Sequence, residues 1–321
     1  METNRLGRGE VEVTALSLGG AAIGGLYEPV REQTALATVR RALEHGMRYV
    51  DTAPHYGLGR GERRLGRALA GIPRASYVVS TKVGRVLVPL GPGEPPEPMG
   101  FADPPPYKRR WDWSRDGIMR SLDASLGRLG LDRVDIVYLH DPDDHEDQVY
   151  ATAYPALAAL RDEGVVGAIG AGMNQTAMLT RFVERLDLDV VLCAGRYTLL
   201  DRSAERDLLP ACLRRGVSVV IGGVYNSGLL ADPRPGARFD YVPAAGPLLA
   251  RARGLRDVCA AYGVPLRAAA LRFPLRHPAV ASVLVGCRTP DEVDDNVTMF
   301  ARDVPEALWA DLATTDPVPD R

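Results

Sequence analysis

The 321-residue sequence predicts an α/β fold in which eight parallel strands close into a TIM barrel. Short apolar strands alternate with amphipathic helices along the chain, and the strands number eight, which is the number that closes such a barrel. The strands are continuously apolar, as is typical of a parallel sheet buried on both faces. An open doubly wound sheet would carry a GxGxxG fingerprint after its first strand. The segment LSLGGAAIGG lacks it, so a single barrel domain over residues 1–321 is favoured.

The predicted elements follow one another in a regular order. A β-hairpin is predicted first, over residues 5–13. The barrel strands are predicted at residues 15–18, 47–51, 77–81, 134–139, 166–169, 190–193, 217–221 and 281–285. Apolar stripes at helical spacing predict helices between most of them, for example over residues 33–45 and 114–129. The seventh connection is predicted to contain two helices, over residues 247–262 and 265–275.

Charge and composition argue against several classes of partner. The chain has 39 basic and 41 acidic residues, so its net charge of -2 gives no reason to expect nucleic acid or an anionic membrane. The segment METNRLGRGEVEV lacks the apolar core of a secretory signal, and no apolar run approaches the roughly 20 residues that span a bilayer. We therefore expect a soluble, cytoplasmic protein. The cysteines are far apart, which predicts no metal site and no disulfide but four buried thiols: Cys193, Cys212, Cys259 and Cys287.

One connection is much longer than the others and rich in proline and glycine. It runs over residues 82–113 and ends in an aromatic cluster. Loops of this length are uncommon and tend to be lids or binding loops, although a disordered insertion is an alternative. The flat faces of Trp111 and Trp113 could bind a sugar ring, which makes both residues candidates for substrate binding. The alternative is that they only anchor the loop to the barrel.

Four titratable side chains of different types lie at the ends of three consecutive predicted strands. Asp51 ends the second strand and Tyr56 follows it, Lys82 follows the third, and His140 follows the fourth. Each alone has an ordinary structural explanation. In a TIM barrel, however, the carboxyl ends of the strands meet at the rim that carries the active site. The sequence therefore predicts that the four residues form one catalytic site.

This set of residues suits proton transfer at a carbonyl or alcohol oxygen. A tyrosine can carry the proton, but its ordinary pKa of about 10 makes it a weak base near neutral pH. The Lys82 ammonium is expected to favour the phenolate of Tyr56 and so to lower that pKa. Asp51 would hold the lysine and keep it charged. His140 would orient the substrate oxygen by a hydrogen bond.

The motifs around these residues resemble a known family. YVDTAPHYG, STKVG and VDIVYLHDPD resemble the catalytic motifs of the aldo-keto reductase superfamily, and all four residues match its catalytic tetrad. Finer features, such as AIGAGMNQ, resemble the branch that contains L-fucose, D-threo-aldose and L-galactose dehydrogenases and pyridoxal 4-dehydrogenases. The resemblance implies NAD(P)-dependent oxidation of a sugar such as L-fucose, or of another D-threo-aldose, at its anomeric carbon to a lactone. An NADPH-dependent aldehyde or ketone reductase, a pyridoxal 4-dehydrogenase and a non-catalytic cofactor-binding subunit remain alternatives.

The resemblance also implies where a nicotinamide cofactor would lie. After the seventh strand, the loop implied to clamp the pyrophosphate contains Gly222, Asn226, Ser227, Gly228 and Leu229. After the eighth strand, the residues implied to face the adenosine are Gly286, Arg288, Glu292 and Asn296. The Ser-Asn pair and the Gln that hold the nicotinamide in much of the superfamily are missing, and Asn174 is the implied replacement. NAD is favoured over NADP, because Glu292 would repel a 2′-phosphate, although Arg288 could bind one.

Overall fold

Eight parallel strands close into a barrel in the computed structural model, which describes residues 1–97 and 99–314. In chain order the strands are β1 (Thr3–Arg5), β2 (Glu12–Thr14), β3 (Leu16–Gly19), β4 (Tyr49–Asp51), β5 (Val78–Val83), β6 (Arg85–Pro89), β7 (Tyr107–Trp111), β8 (Ile136–His140), β9 (Ala168–Met173), β10 (Val190–Ala194), β11 (Ser218–Gly222), β12 (Arg238–Phe239), β13 (Val242–Pro243) and β14 (Val280–Gly286). The barrel order is β3, β4, β5, β8, β9, β10, β11 and β14, which pairs again with β3. The predicted fold class is confirmed.

The helices surround the barrel. They are α1 (Glu32–Glu44), α2 (Arg60–Leu69), α3 (Arg115–Leu129), α4 (Glu146–Gln148), α5 (Tyr154–Asp162), α6 (Thr176–Arg185), α7 (Leu208–Arg215), α8 (Gly246–Ala261), α9 (Leu266–Arg272), α10 (Pro290–Phe300) and α11 (Glu306–Ala313). A π-helical turn joins α4 to α5. The helix predicted over residues 265–275 is shorter than expected, because Pro274 begins a separate 3₁₀ turn after α9. Within the described residues, no helix has the length and apolar character needed to cross a bilayer.

Local capping explains where α3 begins and ends. The Ser114 hydroxyl accepts a hydrogen bond from the backbone N–H of Gly117, which satisfies one of the free donors at the helix start. Gly130 ends the helix in the left-handed conformation, at φ 64°. The prediction of a helix over residues 114–129 is confirmed.

The apolar core has two layers, one inside the barrel and one between the barrel and the helices. The N-terminal hairpin formed by β1 and β2 contributes to the inner layer, because Leu6 and Val13 pack with the interior residues of the barrel strands. Asn4 attaches the hairpin to β14 by donating to the backbone oxygen of Ala281 at 2.8 Å. All four cysteines are buried and free, as predicted. The hairpin thus plugs one end of the barrel and leaves the other rim for the site.

The long connection over residues 82–113 contains regular structure that the sequence analysis did not predict. Strands β6 and β7 pair as an antiparallel hairpin, with Arg85 opposite Trp111. The ring of Trp113 is buried, and a Cβ at Gly84 would lie 2.1 Å from it. Gly84 has a φ of 99°, so the close approach and the backbone both require glycine. The proline-rich composition did not predict this two-stranded hairpin, which lies above the barrel rim.

Candidate active site

The four predicted site residues converge at the carboxyl-terminal rim of the barrel. Asp51 and His140 are the last residues of β4 and β8, and Lys82 lies within β5, which extends beyond its predicted end. Asp51 pairs with Ser80, so Lys82 is two residues closer to the rim on the same inward face. The turn after β4 then carries Tyr56 above the lysine. The tight turn between Asp51 and Tyr56 thus places the phenol next to the lysine of the neighbouring strand.

Lys82 is the centre of the hydrogen-bond network. Its ammonium donates to both carboxylate oxygens of Asp51, at 2.8 and 2.6 Å, and to the backbone oxygen of Thr52 at 3.0 Å. A fourth contact joins Lys82 Nζ to Tyr56 Oη at 3.1 Å. Ser80 donates to Asp51 Oδ1 at 2.7 Å. The lysine and the carboxylate are almost fully buried, so this ion pair is shielded from water.

Burial dominates the proton affinities of this network. It lowers the pKa of Lys82, and Asp51 opposes that shift. Burial, together with the Asp51 carboxylate, raises the pKa of Tyr56 well above its ordinary value, and Arg85 acts in the opposite direction. We expected the Lys82 ammonium to lower the pKa of Tyr56. The net direction is the reverse, because desolvation of the phenolate outweighs the nearby cations.

His140 is buried beside the phenol. Its ring centroid lies 6.0 Å from that of Tyr56, and its Nδ1 is buried with no hydrogen-bond partner among the described residues. Its Nε2 lies 3.6 Å from a carboxylate oxygen of Asp141. Burial, with Arg85 and Lys82 as further causes, lowers the pKa of His140 well below its usual range. The imidazole is therefore neutral at physiological pH and can exchange one hydrogen bond with a substrate oxygen.

Sequence reasoning missed a second group of polar residues at the same rim. Arg85 and Arg109, from the β6–β7 hairpin, both contact His55 Nδ1, at 3.2 and 2.5 Å. Arg85 also forms an ion pair with Asp141. The only signal available was alternation: Arg109 and Trp111 are two residues apart in β7 and so share one face. That pattern could not be used without knowing that the segment is a strand.

The two tryptophans occupy different environments. Their rings stack with centroids 5.6 Å apart, but Trp113 is buried and only 2% exposed, whereas Trp111 is 44% exposed. Trp111 also lies over the guanidinium of Arg85, at 4.5 Å. Trp113 therefore anchors the hairpin in the core. Of the two predicted substrate contacts, Trp111 alone presents a ring to solvent.

The loop after β11 is a tight turn with room for a bound group. Asn226 and Ser227 have positive φ angles of 45° and 58°, and Gly228 follows with open space around its Cα. Asn226 donates to the backbone oxygen of Gly195 at 3.3 Å, while its own side-chain oxygen is buried without a partner in the described part of the chain. Leu229 is buried, and Gly222 ends β11. Across the rim, Asn174 donates to the backbone oxygen of Ala194 at 3.2 Å. The open backbone at Gly228 leaves room for a phosphate group, and the orphaned amide oxygen of Asn226 can accept a hydrogen bond from a hydroxyl or amide of a nucleotide bound here.

The start of α10, after β14 ends at Gly286, forms the other candidate cofactor region. Thr289 caps the helix by accepting from Glu292 N at 3.2 Å. The Glu292 carboxylate accepts from the Arg288 side chain at 2.9 Å and from its backbone N–H at 2.7 Å. Glu28 also pairs with Arg288, at 2.8 Å. Asn296 is held between Tyr225 and the backbone oxygen of Glu292. Two carboxylates therefore already neutralise Arg288.

A closed parallel barrel whose rim holds a buried Asp–Lys pair, a phenol and a neutral imidazole has the architecture and the polar groups of a barrel oxidoreductase. The model of the Aldo/keto reductase family matches residues 15–316. This chain belongs to that family and is an oxidoreductase enzyme. Family members use nicotinamide cofactors. The loop after β11 and the start of α10 have room and polar groups that fit such a cofactor.

Individual relatives narrow the comparison. The chain is 42% identical to the D-threo-aldose 1-dehydrogenase of a Pseudomonas species, over 96% of this chain and 95% of the relative. It is equally identical, at 42%, to the pyridoxal 4-dehydrogenase of Microbacterium luteolum, over 97% of this chain and 96% of that protein. A solved aldo-keto reductase from Bacillus halodurans superposes with a TM-score of 0.77 at 26% identity, covering 99% of this chain and 98% of the other. The predicted branch of the family is confirmed.

Proposed function

We propose that this protein oxidises the anomeric carbon of an aldose, such as L-fucose or another D-threo-aldose, to a lactone with NAD as acceptor. The observation that carries the proposal is the 3.1 Å contact between Lys82 Nζ and Tyr56 Oη, next to the buried Asp51 carboxylate. The similarity to a D-threo-aldose 1-dehydrogenase supports the same substrate class. The whole chain, residues 1–321, would serve as one domain.

In this proposal Tyr56 moves the proton. The anomeric hydroxyl of a cyclic sugar loses its proton to the Tyr56 oxygen while the C–H bond at the same carbon breaks, which leaves a lactone carbonyl. The nicotinamide, when bound, supplies the acceptor for the hydrogen and its electron pair. Lys82 stabilises the phenolate through the 3.1 Å contact, and Asp51 keeps the lysine charged. The neutral His140 holds the sugar oxygen beside the phenol.

The cofactor is proposed to lie across the rim from Asn174 to α10. Asn174 would hold the nicotinamide amide. The loop after β11 would hold the pyrophosphate through Gly222, Asn226, Ser227, Gly228 and Leu229. The start of α10 would hold the adenosine through Gly286, Arg288, Glu292 and Asn296.

We expect NAD to be preferred, because Arg288 is already neutralised by Glu292 and Glu28. A 2′-phosphate would have to displace these carboxylates and would face their repulsion. The Glu292→Arg variant should therefore improve kcat/KM for NADP by about tenfold or more, equivalent to about 1.4 kcal/mol. The measurement compares both cofactors in wild type, in Glu292→Arg and in the control Asp291→Arg at the same helix start. A wild type that prefers NADP tenfold would contradict the proposal, as would a Glu292→Arg variant with no gain.

Trp111 is proposed to cover the sugar ring from the β7 side. The Trp111→Ala variant should raise the sugar KM by several-fold and leave the cofactor KM nearly unchanged, because the exposed ring stacks on Arg85, which contacts His55 next to Tyr56. Trp113→Ala serves as the matched control: it opens a cavity in the core and should mainly lower the melting temperature. If Trp111→Ala raises both KM values equally, the ring only stabilises the hairpin.

The function is tested by following nicotinamide absorbance in both directions. L-fucose, L-galactose, D-arabinose, pyridoxal and aromatic aldehydes are supplied with NAD or NADP, and the aldehydes again with the reduced cofactors. Lactone formation from a D-threo-aldose is the expected result. Efficient reduction with NADPH alone would identify an aldehyde or ketone reductase. Cofactor binding without turnover of any substrate would identify a non-catalytic subunit.

A second candidate is oxidation of pyridoxal, which also forms a cyclic hemiacetal and yields a lactone. The similarity to a pyridoxal 4-dehydrogenase supports it. The specific observation in its favour is the pair of guanidinium groups, Arg85 and Arg109, at the rim. Pyridoxal carries an acidic ring hydroxyl next to the reacting carbon, whereas an aldose carries only neutral hydroxyls.

A further inference from the structure

Two guanidinium groups compete for one acceptor beside the catalytic tyrosine. Arg109 Nε lies 2.5 Å and Arg85 Nη1 lies 3.2 Å from His55 Nδ1. A neutral imidazole nitrogen offers a single lone pair. Burial and the two arginines hold the pKa of His55 at about 2, so the ring stays neutral. One acceptor therefore serves two charged donors.

Arg109 also has a donor with no acceptor at all. Its Nη1 donates to the backbone oxygen of Glu97 at 2.9 Å. Its Nη2 is buried and has no hydrogen-bond partner among the described residues. A buried charged donor without a partner is costly, so such a group in a native site calls for an explanation. The cluster of Arg85, Arg109 and His55 therefore has more buried hydrogen-bond donors than acceptors, and an added oxygen could accept from the free donor.

The charged side chains at the rim also show an excess of positive charge. Asp51 pairs with Lys82, and Asp141 pairs with Arg85. Arg109 forms no ion pair in the part of the chain that the structure describes. Burial and Arg85 lower the pKa of Arg109 to about 10, which leaves it charged at neutral pH. Among the described residues, the Glu97 carboxylate acts on Arg109, and Asp143 acts on Arg85, without forming an ion pair with either, so the charge of Arg109 is only partly compensated.

This charge lies close to the reacting groups. The ring centroid of His55, which both arginines contact, is 6.2 Å from that of Tyr56 and 5.5 Å from that of His140. Arg109 and Trp111 lie on the same face of β7. A substituent one or two bonds from a carbon held at Tyr56 would therefore lie near the His55 ring that both arginines contact.

We propose that Arg109, supported by Arg85, binds an anionic oxygen that the substrate carries next to its reacting carbon. The inference rests on the second candidate function above, oxidation of pyridoxal, and extends it to a substrate class: an aldehyde or cyclic hemiacetal with a neighbouring phenolate or carboxylate. Arg109 is then a specificity residue, because it contacts the substrate without taking part in proton transfer. Neutral aldoses would bind at the same place through hydroxyl oxygens, with less stabilisation, since a charge-assisted hydrogen bond is about twice as strong as a neutral one.

The test compares substrates matched in shape but not in charge. Oxidation of pyridoxal and of its 3-O-methyl ether is measured in wild type, Arg109→Met, Arg109→Lys and Arg110→Met. Arg110 is the matched control, because it is an exposed neighbour on the opposite face of the same strand. Arg109→Met should lower kcat/KM for pyridoxal by about tenfold to a hundredfold and change that for the ether little. Arg109→Lys should recover part of the loss, and Arg110→Met should behave as wild type.

A binding readout separates this proposal from the proposed function. Benzoate and benzamide are titrated into the NAD-loaded enzyme, and the melting temperature is recorded. Wild type should bind benzoate more tightly than benzamide, and Arg109→Met should lose that difference. If no substrate is turned over but this selectivity is seen, the proposed function fails and the anion site stands. Equal losses for pyridoxal and its ether, or equal binding of benzoate and benzamide by wild type, would overturn the anion site.

Discussion

Replacing Tyr56 with phenylalanine is expected to abolish substrate oxidation while cofactor binding survives. The variant keeps the ring, which packs near His140, and removes only the hydroxyl that lies 3.1 Å from Lys82 Nζ. Because that oxygen is the proposed proton carrier, kcat should fall by about 10²–10⁴-fold. Cofactor affinity should be unchanged, since the proposed nucleotide contacts lie on other loops.

The measurement pairs steady-state kinetics with a fluorescence titration of the cofactor. Tyr154→Phe is the control: it removes a tyrosine hydroxyl bonded to Asp187 N at 3.1 Å, outside the barrel rim. That control should keep wild-type kcat. Near-normal turnover by Tyr56→Phe would refute the role assigned to the phenol, whatever happens to binding.

Replacing Lys82 with methionine is expected to slow oxidation and to move its pH dependence upward. Burial and Asp51 already raise the pKa of Tyr56, and the removed ammonium is the cation that lies 3.1 Å from the phenol oxygen. Oxidation requires the phenolate, so its rate rises with pH until Tyr56 is deprotonated. Without Lys82 that rise should begin at higher pH, because Arg85 is then left to oppose the effect of the Asp51 carboxylate on the phenol without the ammonium.

The same substitution should destabilise the fold. Asp51 and Lys82 are both almost fully buried, and removing one partner of such a pair typically costs about 3–5 kcal/mol. The double variant Asp51→Asn with Lys82→Met removes both charges and should recover much of that stability. Activity is then recorded across pH for wild type, for Lys82→Met and for the double variant. A slow Lys82→Met enzyme with an unshifted pH profile would mean that the lysine only positions the phenol.

The barrel and the tetrad could be predicted because both depend on local patterns and one general rule. Apolar runs with regular spacing located the eight barrel strands, although β5 extends past its predicted end and includes Lys82. Parallel strands of a closed barrel bring their carboxyl ends together. Residue type and position at those ends were therefore enough to place Asp51, Tyr56, Lys82 and His140 at one rim.

The position of the two arginines at the rim and the pKa of Tyr56 could not be predicted, because both depend on contacts between distant segments. Arg85 and Arg109 meet at His55 only because the long connection folds back as the β6–β7 hairpin, and its proline-rich sequence did not indicate which residues pair. The direction of the Tyr56 pKa shift is decided by how deeply the ring is buried among groups from several loops. The sequence by itself determined that the four groups of the tetrad reach the rim. The tertiary structure alone decided how they are desolvated and paired, because burial and charge balance are sums over neighbours that are remote along the chain.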